Sequence, residues 1–322
     1  MEEFMQITSR GRSGSAIPLM LAALLGAGEP VAASTLKVVV TNDDGVGAPG
    51  IDRLVEELRQ NIELEVVVVA PEREQSGTGE NRILPPGVIE VRSATTASGY
   101  PAKAVAVFPA DSVLFGVLQE HADDPPDLIV SGINPGPNMG EHIAMSGTVG
   151  AASWGARLGI PAFAVSGSLS SADYAGAAEF AAALVEEFRT NLTFQTKMRE
   201  AAPPHRGVVL NINWPTCTEG SERRGARVVA VGRLENPEGY VPIAPAPIAD
   251  AAGLQIWQAQ GDLPFVNTLD RLRTSNCNST LLAPETDVEA WANGFVGIAP
   301  LDAERSTSGR TLADFQFLEA LF

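Results

Sequence analysis

Apolar residues fall along this chain in short, regularly spaced runs, and their spacing predicts most of its elements. Leu36 to Val40 is a mostly apolar run of strand length. Ile51, Leu54, Val55 and Leu58 follow at the spacing of one helix face. Glu65 to Ala70, rich in valine, reads as a second buried strand ending at Pro71, and Lys103 to Val107 as a weaker one. Pro109-Ala110-Asp111 starts a helix with Leu114, Val117 and Leu118 as its buried stripe. Asp127 to Ser131 is a short strand that feeds a loop of glycine, proline and asparagine from Gly132 to Gly140. Ser146 is placed to cap a helix of small residues that runs through Arg157 and stops at Gly159. Ala162 to Ser166 and Val208 to Ile212 are strands, and between them Tyr174 to Phe188 is a helix buried along Phe180, Leu184 and Phe188. The alternation predicts an α/β fold, a mostly parallel sheet with helices on both faces. It spans residues 34–215. From 216 to 322 short strands, prolines and loops replace it, which predicts a smaller β-rich C-terminal extension.

Composition adds a charge constraint. The chain has 322 residues, 45% of them hydrophobic, with 22 Lys and Arg against 39 Asp and Glu, a formal net charge of −17. Such a surface repels nucleic acid polymers and anionic membranes. An anionic substrate would need a local cation to reverse the field. At the N-terminus, Arg10 and Arg12 precede an apolar run from Ala16 to Gly26, followed by Val31-Ala32-Ala33. That order predicts a signal peptide over residues 1–33 and an exported protein, periplasmic or secreted. The run is too short for a typical membrane span. Export would allow Cys217 and Cys277 to pair; two buried free thiols are the alternative. His121, His142 and His205 show no metal spacing.

The candidate chemistry centres on Thr41-Asn42-Asp43-Asp44-Gly45, between the first strand and the first helix. In a parallel sheet that turn lies at the carboxyl ends of the strands, where open α/β folds bind ligands. One Asp is ordinary turn chemistry. Two adjacent carboxylates repel, and a proton or a hard divalent cation relieves the repulsion. Gly45-Val46-Gly47-Ala48-Pro49-Gly50 also fits the G-x-G-x-x-G pattern. A nucleotide- or dinucleotide-binding Rossmann module without phosphatase chemistry is therefore the alternative reading, although the carboxylates would repel a pyrophosphate. Ser76 and Asn134 follow later strands. With Asp43 and Asp44 they form an all-oxygen set suited to one divalent cation, Mg²⁺, Mn²⁺ or Ca²⁺, rather than zinc. Ser146-Gly147-Thr148 opens a helix whose free N–H groups suit a phosphate.

These stretches together resemble the SurE (survival protein E) metal-dependent 5′/3′-nucleotidases. The matching residues are Thr41 to Gly45 with Ala48-Pro49-Gly50, Ala70-Pro71 with Ser76-Gly77, and Pro126 to Asn134. Gly136-Pro137-Asn138 and Ser146-Gly147-Thr148-Val149 continue the match, with weaker similarity at Asn211-Ile212-Asn213, Thr286-Asp287 and Gly294 to Leu301. The resemblance implies a Rossmann-like catalytic domain over 34–215 and a C-terminal part that helps build a homodimer or homotetramer. It implies Asp43, Asp44, Ser76 and Asn134 as metal ligands, and hydrolysis of nucleoside monophosphates, often with broader phosphatase activity. Two departures stand out: Val107-Phe108 replaces a Gly-Thr pair, and Glu80 stands near where the family usually has asparagine.

The expected reaction is attack of a metal-activated water on a phosphomonoester. Asn138, Ser146, Gly147 and Thr148 would bind the phosphate oxygens of a small-molecule nucleotide or related ester. Asp43 or Asp44 would accept the proton, Asp43 being preferred; an Asp nucleophile is the other route. An exported form would scavenge phosphate or nucleosides.

Overall fold

The structure, a computed structural model, describes residues 35–167, 174–200, 207–217, 221–233, 239–242, 257–260, 275–302, 305 and 309–322. The expected signal segment at 1–33 lies outside them. The strands are β1 (Leu36–Thr41), β2 (Leu64–Pro71), β3 (Val91–Thr95), β4 (Pro101–Val105), β5 (Leu128–Asn134), β6 (Ala162–Ser166), β7 (Val209–Asn213), β8 (Ala226–Val228), β9 (Gly239–Pro242), β10 (Trp257–Gln260) and β11 (Val296–Leu301). Nine of them form one sheet in the order β3-β4-β2-β1-β5-β6-β7-β11-β8, and β9 pairs antiparallel with β10. From β4 through β7 the sheet is parallel; β3 and β11 run antiparallel to their neighbours β4 and β7. The expected α/β class and parallel centre are present. The stretch after 215 contributes β8 and β11 to that same sheet.

Strand pleating sends alternate residues to opposite faces. Val38 and Val40 pack in one core with Ile51, Leu54, Val55 and Leu58 of α1 (Pro49–Leu58) and Phe180, Leu184 and Phe188 of α4 (Tyr174–Thr190). Val39 faces the other core, with Val113 of α2 (Pro109–Phe115) and Val149, Ala151 and Ala152 of α3 (Gly147–Arg157). The helices thus lie on both faces. The remaining helices are α5 (Leu192–Glu200), α6 (Asp287–Ala292) and α7 (Gly309–Phe315). Among the described residues no helix is long and apolar enough to cross a membrane. Cys217 and Cys277 form a disulfide with Cα atoms 5.5 Å apart.

Three local expectations change. The buried stripe runs from Ala110 and Val113 of α2 to Val117 in the turn that follows it, while Leu114 is half-buried and Leu118 is exposed. The reason is that Gly116 lies against the sheet: a Cβ there would start 3.0 Å from a Val39 methyl, so the side facing β1 is fixed by the glycine. α2 then passes into a wider π turn over Gly116–Glu120. The strand expected to end at Ser131 runs on to Asn134, because Gly132 adopts φ +140° against the Val165 carbonyl. α5 was not anticipated; Asn191 caps it by accepting from Phe194 N at 3.0 Å, and only Phe194 and Met198 anchor it.

β1 pairs with β2 on one side and β5 on the other, so chain order reverses between β1 and β5. A crevice at the carboxyl ends of the strands forms at such a reversal. The turn after β1 and the end of β5 meet there at close quarters: a Cβ on Gly50 would lie 1.9 Å from the Ile133 carbonyl oxygen. Gly50→Ala should therefore push α1 from the end of β5 and lower stability by about 2 kcal/mol, the cost of overpacking. Urea unfolding measures it; an unchanged midpoint would contradict this close approach.

Candidate metal and phosphate site

β1 ends at Thr41, and the turn after it is closed from within. Asn42 Nδ2 donates to Gly45 O at 2.9 Å, and Gly45 takes φ +104°, a conformation that favours glycine. Two backbone bonds join this turn to the one after β2: Val46 N to Pro71 O at 2.8 Å and Gln75 N to Asp43 O at 2.7 Å. Asp43 and Asp44 are thereby held beside the turn that carries Ser76.

The Asp43 carboxylate is buried, 2% exposed. It accepts a 2.6 Å hydrogen bond from the Thr148 hydroxyl, and a Cβ on Gly147 would stand 2.8 Å from its Oδ2. The start of α3 therefore rests directly on this carboxylate, and any side chain at 147 would intrude. Burial raises the Asp43 pKa, against the lowering effect of the Thr148 hydroxyl. Burial foremost, then the charges of Asp43 and Glu74, push the Asp44 carboxyl up to about 8. Asp44 Oδ2, Asn42 Oδ1 and Thr41 Oγ1 are buried at this strand end without hydrogen-bond partners among the described residues.

Asn134, at the end of β5, pairs in register with Ser166 and donates its amide to Gly136 O at 2.6 Å, so its other amide atom is an acceptor oxygen. Ser76 is exposed, and its backbone N donates to Glu74 Oε1 at 2.6 Å. Ser146 Oγ accepts from Val149 N at 3.1 Å as the cap of α3. Asn138 is buried: its amide donates to Ser166 Oγ at 2.9 Å and reaches Thr148 Oγ1 at 3.5 Å. Direct contacts thus join Asp43, Gly147, Thr148 and Asn138. Asp44 is their chain neighbour, and Ser76 is tied in through Gln75.

Sequence reasoning missed Ser166 and Glu74, and gave no role to Asn211 and Asn213, which it had placed only in a stretch of weaker similarity. Asn213 Oδ1 accepts from Asn138 N at 2.8 Å, and Asn211 and Asn213 donate to Asn138 O at 2.7 and 3.0 Å. These bonds fix the loop after β5 to the end of β7. The signal was present: Asn211 inside a strand read as buried, with Asn213 just past its end, needs partners, and the partners mark a structured polar site. The G-x-G-x-x-G glycines have another use here. Gly45 shapes the aspartate turn and Gly50 admits the Ile133 carbonyl, while Pro49 removes an N–H from the first turn of α1.

The donors fit an oxygen-seeking cation. One carboxylate is buried and its neighbour half-buried, no basic side chain among the described residues offsets them, and three oxygens at the strand end are unsatisfied. Among the described residues no group of three or more His, Cys, Asp or Glu could hold a metal, so such side chains alone would not complete a set and neutral oxygens would have to join them. The pH dependence follows from the Asp44 shift. Without a cation, the unfolded chain loses this proton near 3.8 and the folded protein keeps it up to about 8. The associated stability is full below the first value and is lost as pH rises through the second. A cation relieves the repulsion once the proton has gone. Mn²⁺ should therefore raise Tm more at pH 8 than at pH 5, measured by thermal denaturation against an EDTA control; equal shifts would count against a site at Asp44.

Residues 38–236 match the family described as Survival protein SurE. The 5′-nucleotidase SurE of Symbiobacterium thermophilum is 41% identical over 265 residues, covering 82% of this chain and 91% of the relative. That of Geobacter metallireducens is 36% identical over 291 residues, covering 88% and 99%. The crystal structure of the Sure protein from Aquifex aeolicus matches with a TM-score of 0.62 at 27% identity, covering 88% of this chain and 99% of that one. These relatives overturn the expected export to the periplasm or medium, since SurE nucleotidases are typically cytoplasmic. A basic-then-apolar order arises readily in an alanine- and leucine-rich segment and did not by itself establish a secretory signal. With the paired aspartates in the turn after β1, against the start of α3, and the match extending along nearly the full length of its relatives, the chain belongs to the SurE family.

Proposed function

We propose that this chain is a 5′-nucleotidase that hydrolyses nucleoside 5′- and 3′-monophosphates to nucleoside and phosphate. The observation that carries the reading is the Asp43–Asp44 pair, Asp43 buried and Asp44 half-buried, with Thr148 of α3 bonded to Asp43. Asp43, Asp44, Ser76 and Asn134 would hold one divalent cation, Mg²⁺, Mn²⁺ or Ca²⁺. When bound, such an ion polarises a phosphate oxygen and lowers the pKa of water. Asp43 is kept in one orientation by the Thr148 hydroxyl, and burial raises its basicity. It is the proposed acceptor for the proton of the attacking water. The second carboxylate, Asp44, shares the charge of the site.

The start of α3 at Ser146, Gly147 and Thr148, together with Asn138, is proposed to hold the phosphate oxygens. Its support is the helix N-terminus, whose N–H groups and dipole favour an anion. Gly147 leaves that end free of side-chain bulk. The substrate is a small nucleotide or another phosphomonoester, as the net charge of −17 disfavours polymeric nucleic acid. Residues 216–322 are proposed as an oligomerisation segment of a homodimer or homotetramer. In support, β9 and β10 pair only with each other among the described residues.

Phosphate release from AMP with and without EDTA tests the activity: loss on chelation and return with Mn²⁺ is expected, and EDTA-resistant turnover would overturn metal dependence. Asp44→Asn should lower kcat/KM by at least about 100-fold, the scale of a lost charge-stabilising group. Circular dichroism should be unchanged, because the substitution removes a buried charge. Thr148→Val should lower kcat by about ten-fold by freeing the Asp43 carboxylate, with a smaller change in KM. Steady-state kinetics on AMP would show it, and an unchanged kcat would remove Thr148 from this role.

A further inference from the structure

Glu80 lies where three segments of the chain meet. Its Oε2 accepts from Arg157 Nη2 of α3 at 3.0 Å, and its Oε1 lies 3.4 Å from Arg305 Nε. Arg305 also donates Nη1 to the carbonyls of Ile143 and Ala144, at 3.2 and 2.9 Å. Those carbonyls belong to the 3₁₀ turn Gly140–Ala144, which leads into Ser146. The backbone is fastened at the same seam. Glu80 O accepts from Trp154 Nε1 at 3.0 Å, and Gly79 N donates to Met145 O at 2.9 Å. A Cβ on Gly150 would start 2.0 Å from Gly79 O, so α3 and this loop approach to backbone contact.

Three further observations raise the cluster above an ordinary surface ion pair. The side chains of Glu80, Arg157 and Arg305 are only 19%, 24% and 22% exposed, so water screens them weakly. Arg305 has φ +63°, a backbone conformation that persists in a residue with a Cβ only where its surroundings hold it. The turn between Ser76 and Glu80 is bonded at both ends: Thr78 Oγ1 donates to Gln75 O at 2.7 Å and Asn81 N to Thr78 O at 3.1 Å. Glu80 follows Ser76 by only four positions, and these bonds link the two ends of that turn.

We propose that Glu80, clamped between Arg157 and Arg305, is a positioning residue for the nucleotidase site. It sets the Ser76 turn against the start of α3, so that cation ligand and phosphate cradle keep one spacing. This rests on the reading above that Ser76 holds the cation and Ser146–Thr148 the phosphate; Glu80 itself touches neither. Arg305 completes the clamp by bracing the turn before Ser146, which makes a residue far along the chain part of the site's alignment.

The test uses the full chain and the variants Glu80→Gln, Arg305→Ala and their combination. Mn²⁺ affinity is read by calorimetry, kcat and KM on AMP by phosphate release, and Tm by thermal denaturation. Each single variant should weaken Mn²⁺ binding and kcat/KM by about ten-fold, the scale of a lost outer-shell partner. The double variant should be no worse than the weaker single, as members of one network are not additive. A lower Tm with Mn²⁺ affinity, kcat and KM unchanged would make the cluster merely structural and overturn the proposal. Ser76→Ala in the same series separates the two levels. If it leaves Mn²⁺ affinity untouched, the ligand reading fails and the proposal falls with it. If it weakens Mn²⁺ while Glu80→Gln does not, only the positioning role is lost. Should Glu80→Gln fail to fold, Arg305→Ala decides by the same readings, since it frees Glu80 Oε1 from Arg305 and releases the Ile143–Ala144 carbonyls.

Discussion

Asp43 and Asp44 end a strand in a place that largely excludes water, and two neighbouring carboxylates there repel one another. Burial removes the solvation that would make each charge tolerable, and Glu74 adds a third negative charge nearby. The folded chain answers unevenly: the Thr148 hydroxyl serves Asp43, while Oδ2 of Asp44 stays unsatisfied among the described residues. That imbalance sets the chemistry. It favours a cation, and a cation is also what an acidic protein needs in order to accept a phosphate ester.

Much of the fold can be understood as holding that pair in place. The reversal of strand order between β1 and β5 opens the crevice, and closely packed glycines allow the parts to meet. Gly50 admits the Ile133 carbonyl, Gly147 admits the Asp43 carboxylate, and Gly150 admits the carbonyl of Gly79. Each is a point where backbone approaches within the space of a single methyl group. Buried polar side chains then fix what the glycines bring together. Asn211 and Asn213 hold Asn138, and Asn138 in turn reaches Ser166 and Thr148. Networks of this kind leave little freedom for relaxation, because an unpaired buried polar group is costly.

The strands and long helices could be read from the chain because their signals are local. A run such as Val38-Val39-Val40 is buried on both faces, and the stripe of Phe180, Leu184 and Phe188 has a helical period. Where the reading slipped, a contact from outside the window had taken over. Gly116 against Val39 turned the buried side of α2 toward Val113, and Gly132 against Val165 let β5 continue past its expected end. The basic and apolar N-terminal order was a compositional signal, and the relatives of the whole chain contradicted the location it suggested.

Residue order alone was enough for the α/β class, the aspartate turn and the family, since each depends on periodicity or on motifs of residues close together in sequence. It could not supply the partners of those side chains. Thr148 meets Asp43 across 105 positions, Asn213 meets Asn138 across 75, and Arg305 meets the turn before Ser146 across more than 160. Such pairings form only when separate strands and helices have packed, because packing brings the ends of β1, β5, β6 and β7 to one edge of the sheet. Burial, too, is a property of the assembled layers: the same two aspartates on an exposed turn would ionise normally and carry no stored repulsion.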